Sequence, residues 1–211
     1  MKKKQFNTSK EELDLEFLWN YCMEHGEERT LERGEMLEET GKPAQWVAYV
    51  EQGYFKYMVH NEEEEKDYCT GFAFEGEFVA NFPHCLRGET SELDIVAATT
   101  CKIRCIAGLE MQSLFDSSPE MMLHNVNILH NLFKMVYTRY LDFYRYSARE
   151  RYRQLMLRFP HIMQQVSQKD LATFLHITPT HLSRIRTELT LGYKGTGGVD
   201  ELMFLNPEQL L

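Results

Sequence analysis

The chain has 211 residues, of which 43% are hydrophobic and 12% aromatic, so it can build the core of one large or two small domains, which argues against global disorder. It has no run of about 18 apolar residues, which excludes a membrane-spanning helix. The basic start MKKKQFNTSK is followed by EELDLEF instead of an apolar segment, so it is not a secretory signal and we expect a cytoplasmic protein.

Charge is distributed unevenly along the chain. The formal net charge of −9 by itself argues against a nucleic-acid partner, and much of the acid lies at residues 35–39 and 62–65. Residues 149–194 are instead basic, with Glu150, Asp170 and Glu188 opposed by Arg149, Arg151, Arg153, Arg158, Lys169, Arg184, Arg186 and Lys194. Because phosphate contact depends on the local field of one face, this segment can bind nucleic acid.

The cysteines follow no disulfide or metal-binding pattern. They are odd in number and include no CxxC: Cys22, Cys69, Cys85, Cys101 and Cys105. We predict buried or free thiols in a reducing compartment, and no metal site.

Residues 9–26 predict a short first helix laid against the next domain. Ser9 and Glu12 form a capping box, and Gly26 is a suitable stop. One helical face is apolar and consists of Leu13, Phe17 and Tyr21.

Residues 29–107 alternate short β-branched and aromatic segments with turn signals such as Gly41-Lys42-Pro43, Gly53 and Gly76. This spacing predicts an antiparallel sandwich or β-roll of the double-stranded β-helix or jelly-roll type, not βαβ units. The acidic run 62–65 fits a solvated hairpin tip better than a metal site, since adjacent strand residues point to opposite faces.

From Pro119 the pattern becomes helical and continues to about Phe159. Apolar residues in alternating steps of four and three form a heptad seam: Met122, Val126, Leu129, Phe133, Val136, Tyr140 and Phe143. A second apolar set lies off the seam: Met121, Ile128, Leu132, Met135 and Leu141. We predict that the second set packs on the roll and that the seam is a homodimer interface. The alternative is one helix buried within a monomer.

The seam ends at Ser147-Ala148-Arg149-Glu150, which we interpret as a hinge. The predicted organisation is an α+β chain with a β-roll and first helix at residues 1–117, a long dimerisation helix at 118–147 and a winged-helix-like helix-turn-helix domain at 148–211. A helix break is expected near Pro160. The apolar run 202–205 in the tail is a candidate wing strand.

The stretch VSQKDLATFLHITPTHLSRIRTEL predicts two short helices joined by a tight turn. Ser167 caps the first helix with Asp170 as reciprocal group, and Thr178 caps the second with Pro179 in its first turn. The inward residues are Leu171, Phe174, Leu175, Ile177, Leu182, Ile185 and Leu189. The alternative is an ordinary packing corner.

A helix in the major groove presents short or forked hydrogen-bonding groups near its N-terminus. Gln168 and Lys169 begin the first helix and suit the DNA backbone. The predicted DNA-binding residues are Gln168, Lys169, Thr178, Thr180, His181, Ser183, Arg184 and Arg186.

In the order roll, long helix and helix-turn-helix, nearly the whole chain resembles the Crp/Fnr superfamily of bacterial transcription regulators. The most specific segment is SQKDLATFLHITPTHLSRIRTEL, and RYRQLML after the hinge also fits. The resemblance implies a homodimer that binds a pseudo-palindromic operator in double-stranded DNA, with RNA polymerase as a candidate partner. It places Arg184 at the position of the arginine with which the family reads a base. Thr180 falls where many members carry an acidic residue that contacts a base. His176 stands where a turn Gly is usual, which predicts a slightly altered turn.

The sensing half departs from the cyclic-AMP-binding members of this superfamily. Ala80-Asn81-Phe82 replaces Gly-Glu-Leu, and roughly Ser91-Glu92 replaces the Arg-Ser pair that clamps the phosphate. A cyclic phosphate would therefore meet no fixed positive charge, and we expect an unknown effector rather than cyclic AMP. The candidate effector positions are Phe78, Asn81, Phe82, Ser91, Val136 and Tyr137.

No cofactor is predicted from these residues. An iron–sulfur cluster of the Fnr type needs clustered N-terminal cysteines, and haem sensing has only the lone His84.

Two other functions compete with the regulator. A cupin-like metalloenzyme needs several His and a carboxylate, but the roll offers only His60 and His84, far apart in sequence, so no catalytic residue is assigned. A roll that binds a metabolite or protein, with a decayed helix-turn-helix, is the other alternative. The intact caps and core of the helix-turn-helix argue against decay.

Overall fold

The computed structural model describes Phe6 and residues 15–195, which divide into two compact units between Thr138 and Arg139. The predicted capping box of Ser9 and Glu12, residue Leu13 and the tail run 202–205 lie outside the described residues. The described part contains no helix that is long and apolar enough to cross a membrane.

The first unit contains two four-stranded antiparallel sheets, in the orders β1-β8-β3-β6 and β2-β7-β4-β5. The strands are β1 (Glu27–Leu31), β2 (Met36–Glu38), β3 (Trp46–Gln52), β4 (Tyr54–Asn61), β5 (Lys66–Phe74), β6 (Phe78–Ala80), β7 (Asp94–Ala97) and β8 (Cys101–Ala107). The predicted antiparallel roll is confirmed. Its acidic run 62–65 forms the exposed turn between β4 and β5, as expected.

Apolar side chains pack the space between the two sheets. Strand alternation sends Val50, Phe55, Ile95 and Ile103 inward, and each is fully buried. Gly71 lies opposite Tyr57, and a Cβ at this glycine would come within 3.3 Å of the Tyr57 ring. The roll therefore has a side-chain core of its own, against which the Tyr57 ring packs.

Three helices pack a second apolar cluster against the roll: α1 (Glu16–His25), α2 (Gly108–Phe115) and the roll-facing side of α3 (Pro119–Arg145). Helix α1 ends at Gly26, as predicted, and the Phe17 ring lies 4.2 Å from the His124 ring of α3. A Cβ at Gly108 would come within 1.9 Å of the Cys85 carbonyl oxygen, so only glycine allows this approach of α2 to the 3-10 helix His84–Leu86.

All five cysteines are buried in the first unit, as the sequence predicts. Burial raises the pKa of the Cys22 and Cys85 thiols to about 12. These two thiols therefore stay protonated and unreactive at neutral pH.

Helix α3 extends from the first unit into the second and ends at Arg145, just before residues 147–150, whose role as a hinge remains a prediction. Ser147 is the N-cap of α4 (Ala148–Arg158), where its hydroxyl accepts a 3.3 Å hydrogen bond from the Glu150 N–H. The helix ends before Pro160, as expected. The rest of the second unit is α5 (Ile162–Gln165), α6 (Gln168–Phe174) and α7 (Pro179–Gly195).

Candidate nucleic-acid interface

The first helix of the pair, α6, begins with the predicted reciprocal cap. The hydroxyl of Ser167 accepts from the Asp170 backbone N–H at 3.0 Å and donates to the Asp170 carboxylate at 2.8 Å. Leu171 and Ala172 are buried, which lets a second helix cross closely over this face. The start of α6 is therefore fixed by hydrogen bonds that the sequence itself specifies.

The turn between α6 and α7 contains a left-handed residue, His176, with φ of 56°. His176 N–H donates to Thr173 at 2.9 Å, and Ile177 N–H donates to Ala172 at 3.0 Å. His176 thus takes the left-handed conformation that glycine favours, so the chain adopts it without a glycine.

The second helix, α7, begins at Pro179 and is capped by Thr178 as predicted, since the Thr178 hydroxyl accepts a 3.1 Å hydrogen bond from the His181 N–H. Leu182 and Ile185 are buried. The opposite face is exposed, and it includes Thr180, His181, Ser183, Arg184, Thr187 and Glu188. One side of α7 is thus anchored in the unit, while the other presents three hydroxyls, an imidazole, a guanidinium and a carboxylate.

Three predicted DNA-binding residues also make contacts within the unit. Thr178 caps α7, and the Gln168 side chain donates to the Pro179 carbonyl at 3.2 Å, which ties the starts of α6 and α7 together. Arg186 is half-buried and hydrogen-bonds the Tyr152 phenol. Burial raises the pKa of Tyr152, and Arg186 offsets part of this rise. Arg186 therefore supports the packing of α7 on α4, whatever else it contacts.

The exposed positive charges on this unit include Lys169 at the start of α6 and Arg184 on α7. Among the described residues neither side chain forms an ion pair, so both are available to a phosphate or a base edge. Glu150, in contrast, is engaged by Arg153 within α4.

The seven seam residues of α3 are all solvent-exposed, from 37% at Leu129 to 69% at Phe133. The second apolar set faces the other way: Ile128 is buried and Leu132 packs on the cluster beneath α1 and α2. An exposed apolar stripe this long is a candidate interface for another protein surface.

The predicted effector positions fall in two groups. Asn81 and Ser91 are buried and hydrogen-bonded to each other, while Phe78 and Phe82 pack against the cluster beneath α1 and α2. Val136 and Tyr137 are exposed on α3, where the Tyr137 ring stacks on Phe133 at 5.6 Å. These assignments remain predictions.

No protein-family model and no curated protein matches the sequence. Solved structures do match. FixK2 from Bradyrhizobium japonicum is 16% identical, with 88% of this chain and 95% of that chain covered and a TM-score of 0.72. A CooA variant from Carboxydothermus hydrogenoformans is 16% identical, covering 88% and 87%, with a TM-score of 0.64. A Eubacterium rectale protein described as a Crp/Fnr-family transcriptional regulator is 14% identical, covering 83% and 87%, with a TM-score of 0.63.

The chain has the fold of the Crp/Fnr regulators. This likeness confirms the predicted α+β architecture of roll, long helix and helix-turn-helix. It concerns the fold alone, so DNA binding and association have to be argued from the residues of this chain.

One buried contact of the second unit involves a residue that the sequence does not single out. Arg151 is half-buried at the junction of α3, α4 and α6 and donates to two backbone carbonyls. In the sequence it stands between Arg149 and Arg153, and no local signal separates it from them. Only the four-residue spacing from the N-cap Ser147, together with the buried Tyr152, indicates that it lies near the inward side of α4.

Proposed function

We propose that this chain is a homodimeric, sequence-specific regulator of transcription that binds double-stranded DNA in the cytoplasm. The observation that carries the proposal is the exposed face of α7. It holds Arg184 within one turn of Thr180, His181 and Ser183, on a helix whose other side is anchored by Leu182 and Ile185. This is the arrangement with which a recognition helix enters the major groove.

Each side chain on this face has a proposed role. Arg184 can grip a guanine through two parallel hydrogen bonds to O6 and N7, while Thr180, His181 and Ser183 reach neighbouring bases or phosphates. Lys169 and Gln168, at the positive end of α6, would contact the DNA backbone. Arg186, which is engaged with Tyr152, would act by holding α7 in place.

The exposed seam of α3 supports the homodimer. Seven apolar side chains in heptad spacing are exposed to water on the single helix, which is unfavourable. Two such helices would bury these side chains against each other. A two-fold dimer places two α7 helices about 34 Å apart, so the operator would be a pseudo-palindrome. The DNA-bound dimer would then contact RNA polymerase at a promoter that carries this operator.

The proposed regulator does not use cyclic AMP. The Asn81 side-chain amide donates a hydrogen bond to the Ser91 hydroxyl. The guanidinium of the nearby Arg87 is exposed and lies 3.8 Å from the Glu89 carboxylate. The apolar packing between the sheets favours regulation by abundance or by protein contact over a metabolite enclosed in the roll.

The test is to select an operator from random duplexes and measure its affinity at several salt concentrations. Arg184→Ala should lose about 1–3 kcal/mol of discrimination between the operator and scrambled DNA. Lys169→Ala should weaken both about equally and lower the salt slope by about one.

Arg153→Gln is the matched control, because it removes one positive charge from α4, where Arg153 is paired with Glu150. It should keep the discrimination of the parent. If Arg184→Ala distinguishes operator from scrambled DNA as well as the parent does, the assignment of α7 as the recognition helix is wrong.

A further inference from the structure

The guanidinium of Arg151, on α4, contacts the ends of two other helices of the second unit, α3 and α6. One of its terminal nitrogens donates to the Tyr146 carbonyl at 2.8 Å and the other to the Leu175 carbonyl at 3.0 Å. The guanidinium carbon also lies 4.8 Å from the centre of the Phe143 ring. Burial lowers the pKa of this arginine, but the group stays charged at any physiological pH.

Both carbonyls stand at helix C-termini. Tyr146 directly follows the last residue of α3, and Leu175 is the C-cap of α6. These ends carry unsatisfied carbonyls and the negative end of the helix dipole, so a cation there is favourable. A planar fork of donors can serve two carbonyls together, which a lysine ammonium on a single stem does less well. Arg151 thus fixes the end of α3 relative to the end of α6.

Phe143 extends this contact to the turn of the helix-turn-helix. The centres of the Phe143 and His176 rings are 6.1 Å apart, and the ring planes are nearly perpendicular at 84°. A second pair joins the same helices, since the Arg139 guanidinium lies 5.4 Å from the Phe174 ring. The last two turns of α3 therefore belong to the same compact unit as α6 and α7.

Phe143 is also the last residue of the exposed seam, and 44% of it remains exposed. A second subunit that covers the seam would restrict this ring. Because Arg151 and His176 both lie against the ring, the same event would restrict the turn that sets the direction of α7.

We propose that Arg151 is a positioning residue that couples subunit association at Phe143 to the orientation of the helix-turn-helix. The proposal rests on the proposed dimeric, DNA-binding function and adds a route by which association prepares the DNA-binding face. It predicts a reciprocal linkage, in which DNA also tightens association.

The first measurement needs no DNA. Amide hydrogen exchange at residues 171–178 is compared between the dimer and a monomer made by Phe133→Asp, which lies roughly 15 Å along α3 from Phe143. In the otherwise unaltered chain, exchange at His176 and Ile177 should be between about 5-fold and 150-fold slower in the dimer, the usual range of a coupling free energy. With Arg151→Gln the dimer and the monomer should exchange alike. The control Arg153→Gln should keep the difference.

The second measurement is the dimer dissociation constant with and without operator duplex. Operator should lower it in the parent, and Arg151→Gln should reduce the ratio of the two constants at least about fivefold. A residue that only supports the fold would weaken association and DNA binding without changing this ratio. If Arg151→Gln does not fold, Phe143→Leu replaces it, since it removes the ring contacts with Arg151 and His176 but keeps the seam apolar.

The outcomes separate the two proposals. A parent that dimerises and protects its turn, yet binds no DNA, would refute the proposed function and leave the coupling standing. A parent dimer that binds operator but shows the same exchange as the monomer, or an Arg151→Gln dimer that keeps the difference, overturns the coupling alone.

Discussion

The side-chain amide of Asn81 donates a 2.8 Å hydrogen bond to the hydroxyl of Ser91, which in turn donates to the Leu93 carbonyl at 2.6 Å. Asn81 is 7% exposed and Ser91 is 1% exposed. The resemblance to the Crp/Fnr superfamily implies a glutamate near the position of Asn81, and roughly an arginine at that of Ser91, in members that bind cyclic AMP. Here the two positions form a neutral, hydrogen-bonded pair.

Breaking this pair should destabilise the roll, and more than the loss of one hydrogen bond suggests. Ser91→Ala leaves the Asn81 amide buried without this acceptor, which should lower the free energy of unfolding by about 1–3 kcal/mol, and Asn81→Leu should cost a similar amount. Because both substitutions remove the same interaction, the double variant should cost less than their sum. Urea unfolding of the four chains measures this, and strict additivity would show that the two side chains do not depend on each other.

A charge in the centre of the seam should dissociate the dimer without unfolding the subunit. Phe133→Asp would bury an unpaired carboxylate on each side of the interface, at about 3–5 kcal/mol each, so the dissociation constant should rise by at least two orders of magnitude. The side chain is 69% exposed in the subunit, so monomer stability should change by no more than about 0.5 kcal/mol. Sedimentation equilibrium measures the first quantity and thermal unfolding the second.

The control is Thr138→Asp, an exposed position on α3 outside the seam. It should leave the association state unchanged. If both variants, or neither, are monomeric, the seam is not the interface.

The local features of the second unit could be predicted from sequence because each depends on residues close in the chain. Ser167 and Asp170 are three residues apart, as are Thr178 and the N–H of His181 that it caps, so both caps follow from composition and spacing. The buried residues Leu182 and Ile185 follow from the period of a helix.

Contacts between distant residues could not be predicted in the same way. The sequence gives no register for β1 against β8, whose partners Glu27 and Cys105 are paired by the closure of the whole roll. Arg186 is predicted as a DNA contact, and the sequence does not indicate that it is half-buried and hydrogen-bonds the Tyr152 phenol on α4. Arg151 is distinguished from Arg149 and Arg153 by its hydrogen bonds to the carbonyls at the ends of α3 and α6, which are distant in sequence from each other.

The left-handed conformation of His176 should decide which residues the turn accepts. A β-branched residue is strained at this φ of 56°, so His176→Val should lower the free energy of unfolding by about 1–2 kcal/mol. His176→Gly relieves the conformation but loses the ring contact with Phe143 and adds freedom to the unfolded chain, so it should change stability by less than about 1 kcal/mol. Thermal unfolding of both variants should show that His176→Gly is more stable than His176→Val. The reverse order would mean that the His176 ring, not its backbone, determines the turn.

The stability of the second unit should fall in acid through Glu150. Two hydrogen bonds of 2.9 Å from Arg153 and one of 3.0 Å from Gln154 lower the pKa of Glu150 to about 2, from an ordinary value near 4.5. Since the folded-state pKa lies below the unfolded value, the ionised carboxylate stabilises the folded chain above about pH 4.5, and this increment is lost as the pH falls towards 2. Exposure of the pair to solvent limits the increment to less than about 1 kcal/mol.

The measurement is the free energy of unfolding of the parent and of Glu150→Gln across this pH range. The parent should be the more stable at neutral pH, and the two should converge in acid. Added salt should narrow the neutral-pH difference, because the charges are partly exposed. Arg153→Gln should abolish most of the same pH dependence, since it removes the main cause of the lowered pKa while leaving the carboxylate in place. A parent and a Glu150→Gln variant that differ by the same amount at every pH would show that the glutamate acts through packing and not through its charge.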